Sequence, residues 1–358
     1  MLLTIAVFVV LLLVLVLVHE FGHFVAAKAA GCAVSEFAFG FPPRLFSITR
    51  GETRYSFNLI PLGGYVKIEG ENMDEAAPGP RSFANQPAWR RIGILCAGVF
   101  MNMLLAVVLL SVQAAGGVPT VVTDENEGTL RNMHTFIVTV EPGSPGAIAG
   151  LQPLDRIAAV GEISRPKIDD VQQLLLERAG GEVPLQIERN GLPTTVTVVP
   201  RENPPPGEGA VGIGLQALGL ERTPWWRAPA AGVARTGRIT AAIYHQFGEI
   251  IHQLFTRGTV ENTLTGPVGI ALYTNEVTRM GLSYVLEFAA LISINLALVN
   301  SAPFPALDGG RVLFVIIETI AGRRLPRQAE RWAHTAGFAV LIVLMVLITV
   351  KDIRHFLL

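Results

Sequence analysis

The chain of 358 residues is short of charge and of cysteine. Charged residues make up 16% of it, against about 25% in soluble globular chains, while 50% is hydrophobic and the mean hydropathy is +0.45. These figures argue against a wholly water-soluble protein, against disorder and against a collagen-like chain. The net charge is −1, so no global basic field gathers nucleic acid, and none is expected as a partner. Two cysteines, Cys32 and Cys96, are too few for a disulfide framework or a four-cysteine zinc site.

Charge is also absent in blocks. Residues 1–19, 92–123, 288–307 and 332–350 contain no Asp, Glu, Lys or Arg. Each block is close to or above the roughly 20 residues that cross about 30 Å of hydrocarbon. The stretch between about 124 and 280 is charged and rich in Pro and Gly. The expected class is an α-helical polytopic membrane protein with four transmembrane helices and a water-soluble insert between the second and third.

Lys and Arg set the orientation. Arg44, Arg50, Arg54, Lys67, Arg81, Arg90 and Arg91 lie between spans one and two, and Arg323, Arg324, Arg327 and Arg331 between spans three and four. Both loops are expected in the cytoplasm. The N-terminus, the insert and the tail then lie outside, although Lys351 and Arg354 in the tail pull the other way. A cleaved signal peptide is the competing reading of the first span, and Ala29-Ala30-Gly31-Cys32 resembles a lipoprotein processing site. Against it, no basic segment precedes the apolar run.

The first apolar run ends in His19-Glu20-Phe21-Gly22-His23. Helical positions i and i+4 share a face, so both imidazoles can reach one ion. Neutral imidazole suits Zn²⁺, and an adjacent carboxylate can act as base on water. Ionisable side chains in a membrane helix are costly and usually functional; an interfacial polar cluster is the bland alternative. At 1.5 Å per residue, His19 lies about 27 Å along the helix, near the cytoplasmic face.

A catalytic zinc usually takes three protein ligands and keeps one open position, so a third donor is expected from another span. Asp308 interrupts the third apolar segment, which resumes at Val312. Pro303 and Pro305, just upstream, break the helix. Irregular backbone at membrane depth survives only inside protein or beside a wet cavity, and hydrolysis needs water. Asn295 and Asn300 add amides able to hold a peptide backbone or a developing oxyanion. A plain turn at the cytoplasmic surface remains the alternative.

The HExxH sequence, together with Asn300-x-x-Pro303-x-Pro305-x-Leu307-Asp308-Gly309, resembles the signature of the site-2 protease family of intramembrane zinc metalloproteases. The closer likeness is to the bacterial RseP-type branch, which carries periplasmic PDZ sequence between spans two and three. Gly63-Gly64-Tyr65-Val66-Lys67 is similar to that branch's membrane-associated β-loop, and Gly266-Pro267-Val268-Gly269-Ile270 to its short motif before span three. The resemblance implies Zn²⁺ as cofactor, His19, His23 and Asp308 as its ligands, and Glu20 as catalytic base. It implies Asn295, Asn300, Pro303 and Pro305 near the substrate, with Gly64, Tyr65 and Val66 of the β-loop. It also implies regulated intramembrane proteolysis in the lipid bilayer of a bacterial inner membrane. The substrates would be single-span proteins: a membrane-bound anti-sigma factor trimmed first by another protease, and remnant signal peptides.

Within the insert, residues 136–140, 156–160, 185–188 and 195–199 alternate as strands do, and 168–179 has a helical pattern. Their order, with Pro142-Gly143-Ser144-Pro145, Ala149-Gly150-Leu151-Gln152-Pro153 and Asp155-Arg156-Ile157, resembles one PDZ domain of α/β build. Most relatives would have Gly where this chain has Leu154. A PDZ groove accepts a peptide as an added strand, here to read a chain end or to act as a size filter; an unused spacer is the alternative. Residues 211–215 resemble a carboxylate-binding loop, and 201–209 an irregular linker. Apolar residues recur at helical spacing from Trp225 to Phe255, which predicts an amphipathic helix on the outer face. His134, His245, His252, His334 and His355 are expected to be polar groups rather than ligands.

The expected boundaries are span one with HExxH at 1–30, a cytoplasmic loop at 31–91, span two at 92–117 and the PDZ domain at 118–215. The amphipathic helix and connector follow at 216–284, the Pro-interrupted span three at 285–318, a cytoplasmic loop at 319–331, span four at 332–351 and a tail at 352–358. Two rival functions stay open: a non-catalytic PDZ adaptor with a structural metal, and a zinc transporter. An adaptor would not need Glu20, and a transporter would need polar positions strung along a path.

Overall fold

An apolar run with no proline and no glycine before Gly22 has little to stop it from being one helix. In the computed structural model it forms α1, Leu2–Ala29. The structure describes residues 2–71, 79–123, 125–189, 191–205, 207–257 and 266–356, without the side chains of 2–5, 61–62, 251, 254–255, 327 and 355–356. The side chain of His355, Asn190, Pro206 of the linker and the end of the tail lie outside the described residues. These residues fall into two compact units, one drawn from residues 1–111, 229–278 and 284–358, the other from 112–228 and 279–283.

In the first unit, β1 (Val34–Arg50) and β2 (Thr53–Ile68) follow α1. A bend in β2 lets Glu36, Phe37, Ala38 and Phe39 pair with Arg54, Tyr55, Ser56 and Phe57 on one side and with Lys67, Val66, Tyr65 and Gly64 on the other. Thus the expected 31–91 loop contains a long hairpin, whose outer half exposes Phe41, Leu45, Phe46, Ile48 and Leu59. Its base is anchored in a core of Ala27, Cys32, Val34, Ile68, Phe83, Ile94, Leu95 and Val315.

The helix α2 covers Ala88–Gly116. Among the described residues, four helical segments are long and apolar enough to cross a membrane: Ala6–Ala29, Ala88–Gly116, Leu282–Ser301 and Gln328–Arg354. The third expected span is two helices, α7 (Leu282–Ser301) and α8 (Asp308–Ala321). An irregular link joins them, as Pro303 and Pro305 dictate. The last helix, α9, runs Arg327–Phe356, and its exposed Phe338, Val340, Val343, Leu344 and Leu347 suit contact with lipid.

The amphipathic stretch forms a 30-residue helix, α5 (Ala228–Arg257), followed by α6 (Pro267–Met280). Ile239 and Ile243 of α5 pack on Ala106 and Leu110 of α2 and on Ala290 and Ile294 of α7. Gly232 admits the close approach, since a β-carbon there would sit 2.6 Å from Val107 O. Part of the apolar stripe of α5 is therefore covered by protein. In α6, the backbone N–H groups of Gly266 and Gly269 donate to the buried carboxylate of Asp352 at 3.0 and 2.9 Å, which accounts for the Gly266-Pro267-Val268-Gly269 motif as a capped helix start.

In the second unit a sheet has the order β3 (Val118–Val121), β9 (Ile213–Glu221), β4 (Arg131–Val140), β5 (Arg156–Val160), β7 (Val183–Arg189) and β8 (Leu192–Val198), with β6 (Ile163–Ser164) paired to β5. A short helix, α3 (Pro145–Ile148), and the helix α4 (Ile168–Glu177) complete it. Alternate residues Val183, Leu185 and Ile187 of β7 meet Val171 and Leu175 of α4, with Ile137, Ile157 and Val160. The buried Asp155 accepts a two-pronged bond from Arg189 at 2.7 and 2.6 Å. Leu154 has φ +74, the left-handed conformation for which glycine is the usual residue.

Candidate metal centre

The imidazoles of His19 and His23 stand one turn apart on α1, and the first residue of α8 brings Asp308 to them. His19 Nε2 lies 3.1 Å from Asp308 Oδ2, His23 Nε2 lies 3.3 Å from it, and the two Nε2 atoms are 3.2 Å apart. Zinc held tetrahedrally at about 2.0 Å separates its ligand atoms by about 3.3 Å. The triangle therefore has the spacing of three corners of such a site. Asp308 Oδ2 is buried and has no hydrogen-bond partner, an arrangement that a cation would satisfy. Among the described residues, this is the one group of three His, Cys, Asp or Glu side chains so arranged.

One stripe of α2 shapes the imidazoles. His23 Nδ1–H donates to Ile94 O at 2.8 Å, which leaves a lone pair on Nε2. Gly98, one turn on, leaves room for both rings: a β-carbon there would be 2.4 Å from His23 Nε2. Asn102, a further turn on, is fully buried with its amide 3.3 Å from His19 Nδ1. With the amide turned so that Oδ1 accepts from His19 Nδ1–H, the orphaned Oδ1 is satisfied and His19 Nε2 also carries a lone pair. Gly22 of the motif lets the two helices meet, since a β-carbon there would lie 2.4 Å from Ala97 O. Of these, only Asn102 leaves a mark in the sequence, as an amide inside an uncharged run.

Two cavities open on the triad. One of about 410 Å³ is lined by Glu20, Tyr65, Val66, Lys67, Glu71 and Arg311 with the three triad residues. The other, of about 250 Å³, is lined by Val16, His19, Glu20, Gly64, Leu296, Asn300 and Asp308, among others. Glu20 faces both. Arg311 and Glu71 form an ion pair beside the larger cavity. Asn300 Nδ2 is 3.4 Å from His19 Nε2. Asn295 is elsewhere: its amide donates to Leu291 O on its own helix at 3.0 Å, and it lines neither cavity. Pro303 and Pro305 also stay out of the lining and shape the link before Asp308.

The sequence matches peptidase family M50 over residues 7–344. It is 29% identical to the zinc metalloprotease RasP of Oceanobacillus iheyensis, across 98% of this chain and 99% of that protein. Identity to the zinc metalloprotease RasP of Geobacillus kaustophilus is also 29%, covering 98% of each. With the paired motifs and four apolar helices above, the chain belongs to peptidase family M50, the site-2 metalloproteases that its motifs resemble.

Proposed function

We propose that the protein is a zinc endopeptidase that cuts single-span proteins within or at the edge of a bacterial inner membrane. His19, His23 and Asp308 hold the metal, and the observation that carries this is their triangle of 3.1–3.3 Å edges. When bound, zinc supplies Lewis acidity that polarises the scissile carbonyl and acidifies water. Glu20 takes the proton of the attacking water and returns it to the leaving amine. Asn300 donates to the carbonyl oxygen as charge develops there. A helical substrate hides its peptide bonds, so it must be unwound first; residues 64–68 of β2 pair with the extended segment by backbone hydrogen bonds. That edge carries Tyr65 and Val66 in the larger cavity and pairs with Phe37 and Ala38 of β1.

The second unit acts as an extracytoplasmic PDZ domain. Its strand order, its helix α4 over the sheet and its left-handed turn at Leu154 support that reading. It reads a chain end or excludes bulky ectodomains. The substrates are anti-sigma factors already trimmed outside the membrane, and remnant signal peptides. In detergent with a single-span substrate, Glu20→Gln should abolish cleavage while zinc content persists, and Asp308→Ala should lose zinc by metal analysis. Undiminished cleavage by Glu20→Gln would rule out Glu20 as the base; no cleavage by the wild-type protein would favour an adaptor; unchanged zinc in Asp308→Ala would move the third donor elsewhere.

A further inference from the structure

The link from 302 to 307 leads directly into Asp308, the first residue of α8. Ala306, two residues before Asp308, has φ +82, a conformation that a residue with a β-carbon rarely adopts. Within the link, Phe304 N–H donates to Ala302 O and Leu307 N–H to Phe304 O. The second bond closes a β-turn with Pro305 and Ala306 at its centre, the positive φ falling at the position a type II turn requires. The Ala306 N–H itself is held from the last helix: it donates to His334 Nδ1 at 2.9 Å. A ring nitrogen that accepts must carry a lone pair, so His334 is neutral with its proton on Nε2, which is 3.9 Å from Glu330 Oε1. The ring is held in turn by Phe314 of α8, edge to face at 5.3 Å between centroids. One turn along α9, Gly337 allows close contact, since a β-carbon there would be 2.4 Å from Pro305 O. Ala306 itself lines both cavities on the triad.

We propose that His334 is a positioning residue: by accepting from Ala306 N–H it holds the link in the shape that presents Asp308 to His19 and His23. This rests on the reading of Asp308 as a metal ligand. The role asks for an acceptor at the Nδ1 position and for nothing else from the imidazole. The Asn Oδ1 atom occupies that position, the Gln Oε1 atom lies one bond too far, and Leu offers no acceptor.

The test compares His334→Leu, His334→Gln and His334→Asn with wild type and Asp308→Ala in detergent. Zinc affinity is measured by competition with a chelator, and cleavage of a single-span substrate is followed in parallel. The Leu and Gln variants should bind zinc at least tenfold more weakly and cleave correspondingly slowly, within the 10–100-fold range of lost outer-shell support. The Asn variant should recover to within about threefold of wild type in both readouts. Wild-type zinc affinity in His334→Leu, or an Asn variant as impaired as the Leu variant, would overturn the proposal. If the Leu variant does not fold, the contrast between Asn and Gln decides. Zinc retained by Asp308→Ala would instead overturn the ligand reading, and this inference with it; zinc lost there but kept in His334→Leu and His334→Gln would overturn this inference alone.

Discussion

At position 98 a β-carbon would lie 2.4 Å from His23 Nε2 and 2.7 Å from His19 Cε1. The space is filled by the two rings, and neither can retreat: His23 is tied to Ile94 O and His19 sits against Asn102. Gly98→Ala should therefore push the imidazoles apart and weaken both zinc binding and cleavage at least tenfold, in line with disturbed outer-shell support. Gly93→Ala, on the same helix with nothing within 4 Å of the added atom, should leave both unchanged. Equal behaviour of the two variants, by metal analysis and cleavage assay, would refute the steric role of Gly98. The paired histidines are legible in sequence because their four-residue spacing is a local rule of the helix. Ile94 and Gly98 are not, because a backbone carbonyl and an absent methyl leave no chemical signature; Asn102 shows only as an amide in an uncharged run. Likewise, spacing could nominate Asn295 beside Asn300, but only coordinates reveal that its amide turns back to Leu291 O.

Four strands of the second unit, β4, β5, β7 and β8, were readable, since period-two burial is written directly into residues such as Val183, Leu185 and Ile187; β3, β6 and β9 were not, β9 falling where a loop and connector were expected. The hairpin of the first unit was much less so. The apolar side chains of β1 and β2, among them Phe46, Ile48 and Leu59, stay exposed, so alternation does not separate a buried face from an open one. Amphipathy in α5 had a similar ambiguity: a stripe shows that something apolar covers it, and α2 and α7 supply part of that cover. The bend in β2 is what carries Tyr65 and Val66 into the cavity with Glu20. A proline at 66 removes one backbone donor from this edge. Val66→Pro should lower cleavage of a helical membrane substrate at least tenfold, on the premise that main-chain pairing supplies the unwinding. Cleavage of a short extended peptide should fall far less. Equal losses on the two substrates, at matched protein yield, would end the strand-pairing idea.

Across the whole molecule, the four tryptophans mark where helices meet an interface. Trp89 lies at the start of α2 beside Arg90 and Arg91, and Trp332 lies near the start of α9 beside Arg331; both are exposed. Trp225 and Trp226, also exposed, precede α5, with Arg222 and Arg227 on either side of them. Tryptophan is enriched at both membrane surfaces, whereas Lys and Arg favour the cytoplasmic one. On the proposed orientation, which rests on the loop charges, the first pair would lie at the cytoplasmic face and the second at the outer face. That orientation would put the start of α8, with Asp308, near the cytoplasmic side. Cysteine labelling tests this in a Cys96→Ser background, since Cys96 is exposed while Cys32 is buried. A membrane-impermeant thiol reagent should label Thr195→Cys in cells whose inner membrane is intact. Arg323→Cys, on the exposed turn after α8, should react only once that membrane is opened. The reverse pattern would invert every helix, carry the start of α8 to the outer leaflet and overturn the proposed orientation.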